Sequence, residues 1–284
     1  MSGNMSAGES CELTVTELNQ VHEGDCVELL RSLPDSCAQL VIADPPYNLG
    51  PRFGVAAEWV RNPDWLAWCS EWLAECQRIL TDDGNLFVYG IHHYICLIHV
   101  RLYELGMTYR RQIIWHYQNG FAAYRCNLAA HYQPILWFSN SPESFFREIR
   151  EPYKSTERLQ HRITKNGKVW TPHPAGRLAG DVWSFPTLAG RRFRDERVAH
   201  PTQKPLALTD RIVGHFSSPG SLVVVPFAGS GTECVSALRN GRAFWAAEIK
   251  REFVQLAEQR LNAARLEPPR PDVLARDLDP SWLS

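Results

Sequence analysis

The run from Ser221 to Glu248 constrains this chain more than any other stretch. Ser221-Leu-Val-Val-Val225 reads as a buried strand and Phe227-Ala-Gly229-Ser-Gly231 as a glycine turn. A helix from Thr232 to Leu238 and a strand from Arg242 to Glu248 follow. A strand that returns through a helix to a second strand pairs with it in parallel, and parallel sheets are covered by helices. The alternation recurs upstream. Gln39-Leu-Val-Ile-Ala43 reads as a strand, and a helix starts at Asn62-Pro63-Asp64. Its apolar face carries Trp65, Trp68, Cys69, Trp72, Leu73, Cys76, Ile79 and Leu80, and Asp83-Gly84 is expected to stop it. Strands are predicted at Leu86–Tyr89, Tyr109–Tyr117 and Pro134–Phe138, with helices over His93–Leu105, Leu206–Phe216 and Lys250–Arg265. The fold class is therefore α/β, with a doubly wound, mostly parallel sheet.

Two loops carry chemistry. Gly229 and Gly231 let a ligand approach the backbone closely, and Glu248, nineteen residues beyond Gly229, is where an acid accepts ribose hydroxyls in such folds. Cys234 stands where a third glycine would be and no lysine follows Gly231, so the turn suits an adenosine without a pyrophosphate. Alone, the turn is weak evidence, and Glu248 alone reads equally well as a surface acid. The second loop, Asp44-Pro45-Pro46-Tyr47, closes the strand ending at Ala43. Paired prolines stiffen it and leave its carbonyls as free acceptors. An exocyclic base amine is a poor nucleophile because its lone pair is delocalised into the ring. The Asp44 carboxylate and the Pro45 carbonyl can each accept one amine hydrogen, which turns that lone pair outward. Tyr47 offers a face on which a flipped base can stack. The bland alternative is a rigid turn at a strand end.

Charge adds a third feature. Residues 145–198 hold twelve Lys/Arg against six Asp/Glu, a net of +6, which leaves −7 for the rest of a chain whose total is −1. A polyanion needs only a local positive field, so nucleic acid is expected here, against a merely solvated insertion. Eight cysteines without ligand spacing read as core residues in a reducing compartment, most simply the cytoplasm, and no metal is expected. No run reaches the length of a membrane span.

Asp44-Pro-Pro-Tyr-Asn-Leu-Gly50 followed by Phe227-Ala-Gly-Ser-Gly-Thr232 resembles the DNA amino-methyltransferases of restriction–modification systems and their solitary relatives. The catalytic loop precedes the cofactor loop, as in the beta class. The resemblance covers roughly residues 20–265 and implies S-adenosylmethionine as cofactor, double-stranded DNA as partner, and a homodimer as a reasonable assembly. It also implies roles for single residues. Asp44, Pro45, Pro46 and Tyr47 form the catalytic loop. Phe227, Gly229, Ser230, Gly231, Thr232 and Glu248 hold the cofactor, with Asp25 of His22-Glu-Gly-Asp-Cys26 at its adenine and Lys204 of His200-Pro-Thr-Gln-Lys-Pro205 at its carboxylate. Asp25 also reads as a plain helix cap, Lys204 as a surface lysine, and Trp115 as either a base-pocket or a core residue. Arg158, Arg162, Lys165, Lys168, Arg177, Arg191 and Arg192 are the DNA-binding candidates, and Asp181-Val-Trp-Ser-Phe-Pro186 closes their region.

One departure stands out: Val225 occupies a position where the family usually carries an acid. The expected organisation is a disordered segment 1–12, a catalytic domain of 13–140 and 199–266, a basic target-recognition region 141–198 and a trailer 267–284. The resemblance favours adenine N6 as the target, because in that family Asp before Pro-Pro-Tyr goes mainly with adenine. Cytosine N4 is the alternative. A protein glutamine or asparagine amide methyltransferase and a non-catalytic DNA-binding module are the readings from other classes.

Overall fold

A computed structural model describes residues 17–48, 62–119 and 128–267. The expected disorder at 1–12 and most of the trailer lie outside them. In chain order the elements are β1 (Val21–Glu23), α1 (Cys26–Arg31), β2 (Ala38–Ala43), α2 (Asn62–Ile79), β3 (Leu80–Tyr89), α3 (Ile95–Glu104), β4 (Thr108–His116) and β5 (Tyr132–Ser139). Short strands follow: β6 (Arg150–Glu151), β7 (Ile163–Lys165), β8 (Lys168–Trp170), β9 (Arg177–Leu178) and β10 (Val182–Ser184). The chain then returns to α4 (Leu206–Phe216), β11 (Leu222–Val225), α5 (Thr232–Arg239), β12 (Ala243–Glu248) and α6 (Arg251–Arg265).

The main sheet runs β1-β12-β11-β2-β3-β5-β4-β10. All its pairings are parallel except β3 with β5 and β5 with β4. Strand residues alternate between two apolar layers, as the period of two requires. Val41, Ala43, Leu86, Val88, Val224 and Trp245 pack with α1, α2 and α3. Leu40, Ile42, Phe87, Val223, Val225 and Phe244 pack on the other face with α4, α5 and α6. Both faces are covered, which is why these strands read as unbroken apolar runs. Cys69 and Cys76 are fully buried in the first layer.

The helix predicted to stop at Asp83-Gly84 ends earlier, at Ile79, and the chain passes directly into β3. Ala38 pairs with Leu80 but Leu40 with Asn85, so the residues between Leu80 and Asn85 bulge out. Asp83 holds the bulge by accepting from Gln39 Nε2 and Thr81 Oγ1, each at 2.7 Å. The basic region is tied to the main sheet rather than hung from it. Trp183 of β10 pairs with Trp115 of β4, and Trp183 and Phe185 are buried in the second layer. Trp115 takes the core option, 4% exposed, with Nε1 donating to the Phe185 carbonyl at 2.7 Å.

Candidate active site

Strand order brings the two loops together. β11 lies beside β2 in parallel, Val224 opposite Val41, so both strands end on one edge of the sheet. β2 runs out into Asp44-Pro45-Pro46-Tyr47 and β11 into the turn at Gly229–Gly231. β12 and β1 bring Glu248 and Asp25 to the same edge, with Glu248 opposite Glu23. This is the carboxyl edge at which open α/β sheets bind ligands.

Asp44 is held on both oxygens. Lys204 Nζ donates to Oδ2 at 2.5 Å, and the Tyr47 hydroxyl donates to Oδ1. Gln133 Nε2 in turn donates to the Tyr47 oxygen at 2.7 Å. Burial first, and the Asp44 charge second, push the Tyr47 phenol well above its ordinary range, so the hydroxyl stays protonated and keeps donating. Trp65 Nε1 donates to the Pro46 carbonyl at 2.9 Å and pins the loop to α2. Among the described residues none donates to the Pro45 carbonyl, and an amine hydrogen can still use it.

Lys204 is 4% exposed and also donates to the Thr202 carbonyl at 3.3 Å. Its ammonium lies over the Tyr89 ring at 5.1 Å, which helps hold a desolvated cation. The lysine expected at the cofactor's carboxylate thus has its main partner in the catalytic loop. An ammonium has three N–H donors, which leaves one for a ligand.

The cofactor turn is built by backbone geometry. Gly229 and Gly231 have φ of +50° and +72°, and a Cβ on Gly231 would lie 2.7 Å from that of Ala257. Gly229 N–H donates to Glu248 Oε2 at 2.8 Å, and Lys250 N–H to Oε1 at 2.9 Å. Glu248 therefore braces the turn, while each oxygen keeps a lone pair for a ribose hydroxyl. Asp25 caps α1, accepting from Val27 N–H and Glu28 N–H through one oxygen, Oδ1, so the plain-cap reading is what the geometry displays. Phe227 packs on Trp68 and Trp72 at 5.6 and 5.3 Å between ring centres. Ser230 and Thr232 are buried, with hydroxyls 3.1 Å apart.

Several residues of this edge were missed in the sequence. Arg260 of α6 donates to Ser230 O at 2.6 Å and Thr232 Oγ1 at 2.9 Å, clamping the turn from behind. The His200 ring lies against Gly229, where a Cβ would be 3.0 Å from Nε2, and burial lowers its pKa to about 4. Glu233, in the first turn of α5, is 4% exposed, with its carboxyl pushed up to about 7 by burial and then by Asp44. Gln133 stands one residue before the predicted strand, and Arg260 sits in a segment whose pattern announced only a helix.

The DNA-binding candidates fall into two groups. Arg162, Lys165 and Lys168 are exposed around the hairpin of β7 and β8, with Lys165 directly opposite Lys168. Like charges facing each other across a hairpin are unfavourable, and a polyanion relieves them. Arg191 and Arg192 are exposed on a 3₁₀ turn spanning Arg191–Phe193. Arg177 differs, being ion-paired with Glu151 at 2.5 Å, and Glu151 also takes Arg211 at 3.1 Å. The side chain of Arg158 is outside the described residues. Among the described residues no group of three His, Cys, Asp or Glu could hold a metal ion, and no helix is long and apolar enough to cross a membrane.

Residues 38–259 match the profile of a family described as DNA methylase. The Type II methyltransferase M1.MboII of Moraxella bovis is 32% identical over 87% of this chain and 97% of its own length. The DNA adenine methyltransferase YhdJ of Escherichia coli K12 is 30% identical, over 87% and 84%. Among solved structures, a complex of M1.HpyAVI with SAM superposes with a TM-score of 0.59, at 22% identity, covering 86% of this chain and 98% of that one. At that identity the superposition speaks for the fold.

Proposed function

The chain belongs to the N6/N4 DNA methylase family, and from that premise we propose that it moves a methyl group from S-adenosylmethionine to an exocyclic amine of a base in double-stranded DNA, with adenine N6 as the target. The observation that carries the reading is the adjacency of β2 and β11, which sets Asp44 and the Gly229–Gly231 turn on one edge. Membership of a DNA methylase family leaves no support for the protein-amide alternative.

The residues fit this cofactor. Two positive-φ glycines, a carboxylate bracing them, and a buried lysine with a spare donor make a cradle for adenosine joined to an amino acid. When bound, the cofactor supplies an electrophilic methyl group. The chain supplies the nucleophile's geometry. Asp44 Oδ1 and the Pro45 carbonyl each accept one amine hydrogen, so the Tyr47 hydroxyl yields its place on Asp44 as the base arrives. Lys204 stays on Oδ2 and keeps Asp44 oriented. The methylated nitrogen carries a surplus proton, which Asp44 takes along the same hydrogen bond. Most of the rate comes from this positioning. The exposed cations at Lys165, Lys168, Arg191 and Arg192 hold phosphates, and the wider region 141–198 reads base edges.

Replacing Asp44 with Ala tests the assignment. Methyl transfer to DNA should fall below detection while calorimetry still records cofactor binding, and retained transfer would refute the role. Nucleoside analysis of treated DNA distinguishes methylated adenine from N4-methylated cytosine. A homodimer belongs to this reading on family grounds, and sedimentation equilibrium measures it. The six free cysteines among the described residues suit a reducing compartment, hence the cytoplasm.

A further inference from the structure

Glu233 is a buried acid of this edge to which the scheme above gives no role. It lies in the first turn of α5, immediately beyond the glycine turn, and is 4% exposed. Its Oε1 is buried with no hydrogen-bond partner. A desolvated carboxylate oxygen without a donor costs free energy, and native proteins retain few of them. The nearby cations are engaged elsewhere. Lys204 serves Asp44 and the Thr202 carbonyl, and Arg260 serves Ser230 O and Thr232 Oγ1. The charges of Asp44 and Lys204 both bear on Glu233, which stands two residues beyond Gly231 at the start of α5. At the end of β11 itself, Val225 is fully buried and brings no acid to the turn.

We propose that Glu233, in the first turn of α5, receives the α-ammonium of the cofactor's amino-acid end. This rests on the function proposed above. The chemistry recognised is a zwitterion. Lys204 has a donor left for the α-carboxylate, and Glu233 has an acceptor left for the α-ammonium, so two buried groups of opposite charge can take the two ends of the zwitterion. The unsatisfied carboxylate is a cost that the ligand's ammonium removes.

The test uses two ligands that share the adenosine. S-adenosylhomocysteine carries the amino-acid end, and methylthioadenosine lacks it. By calorimetry, Glu233→Gln should weaken S-adenosylhomocysteine by at least about tenfold, the scale of one charge-assisted hydrogen bond. Methylthioadenosine should bind wild type and variant alike. Equal affinities for S-adenosylhomocysteine, or equal losses for both ligands, would overturn the proposal. A second measurement needs no variant. Binding of S-adenosylhomocysteine by the wild type near neutral pH should release a proton from Glu233, seen as a dependence of the heat on buffer ionisation, and methylthioadenosine should show none. Identical proton release for the two ligands also overturns it. If the wild type bound neither ligand, the proposed function itself would fail, whereas failure at Glu233 alone leaves both ligands bound tightly.

Discussion

Replacing Glu233 with Gln should change how the stability of the ligand-free protein depends on pH. The folded-state carboxyl is raised from 4.5 to about 7, by burial first and by Asp44 next. A raised acid favours folding while it is protonated, so its contribution is fully present below about pH 4.5 and is lost as pH rises towards 7. The side chain is 4% exposed, so solvent screens little of this. At about 1.4 kcal/mol per pH unit, the loss amounts to roughly 3 kcal/mol across the window. His200 acts in the opposite sense. Its folded pKa falls from 6.5 to about 4, chiefly through burial, so its contribution is present above 6.5 and lost on acidification towards 4. The two windows overlap, and in the wild type the two slopes oppose each other. Gln keeps the shape and cannot ionise. The variant should therefore gain on the wild type by about 3 kcal/mol between pH 4.5 and 7.5, with the His200 slope uncovered. Urea denaturation of both proteins at several pH values gives that difference directly, and groups common to the two cancel. A difference that stays constant with pH would refute the reasoning, because Glu233 would then ionise as easily folded as unfolded.

Gly231→Ala should destabilise the fold by about 2–4 kcal/mol, combining left-handed strain at φ +72° with a Cβ contact of 2.7 Å to Ala257. Urea denaturation measures it, and a loss below about 1 kcal/mol would mean that the turn relaxes freely. The double variant Lys165→Glu, Lys168→Glu should weaken DNA binding without altering cofactor affinity, and should flatten the slope of log affinity against log salt by about two. Fluorescence anisotropy across a salt series reads this, and an unchanged slope would remove the β7–β8 hairpin from the phosphates.

The sequence made visible what depends on period and punctuation. Unbroken apolar runs such as Ser221–Val225 announced strands buried on both faces, and Asp44-Pro-Pro-Tyr and Gly229-Ser-Gly231 announced where those strands stop. The strand β1 and the bulge in β3 were not legible. A three-residue strand carries no period, and the bulge depends on Asp83 meeting Gln39 across the sheet. Roles fixed by tertiary pairing were hidden for the same reason. Lys204 lies 160 residues from Asp44, and Arg260 lies 30 residues from Ser230 on a helix whose pattern advertised only an amphipathic face. Glu233 was passed over because an acid in the first turn of a helix is ordinary, favoured there by the helix dipole. Only burial distinguishes it, since a dipole-seeking carboxylate belongs in water and this one is enclosed with Oε1 unpaired. Val225 therefore means something different in the structure than in the sequence. Read along the chain, it is a missing acid. Read in space, Val225 and Glu233 lie at opposite ends of the same glycine turn, and the proposal for Glu233 gives the site its charge from the helix side.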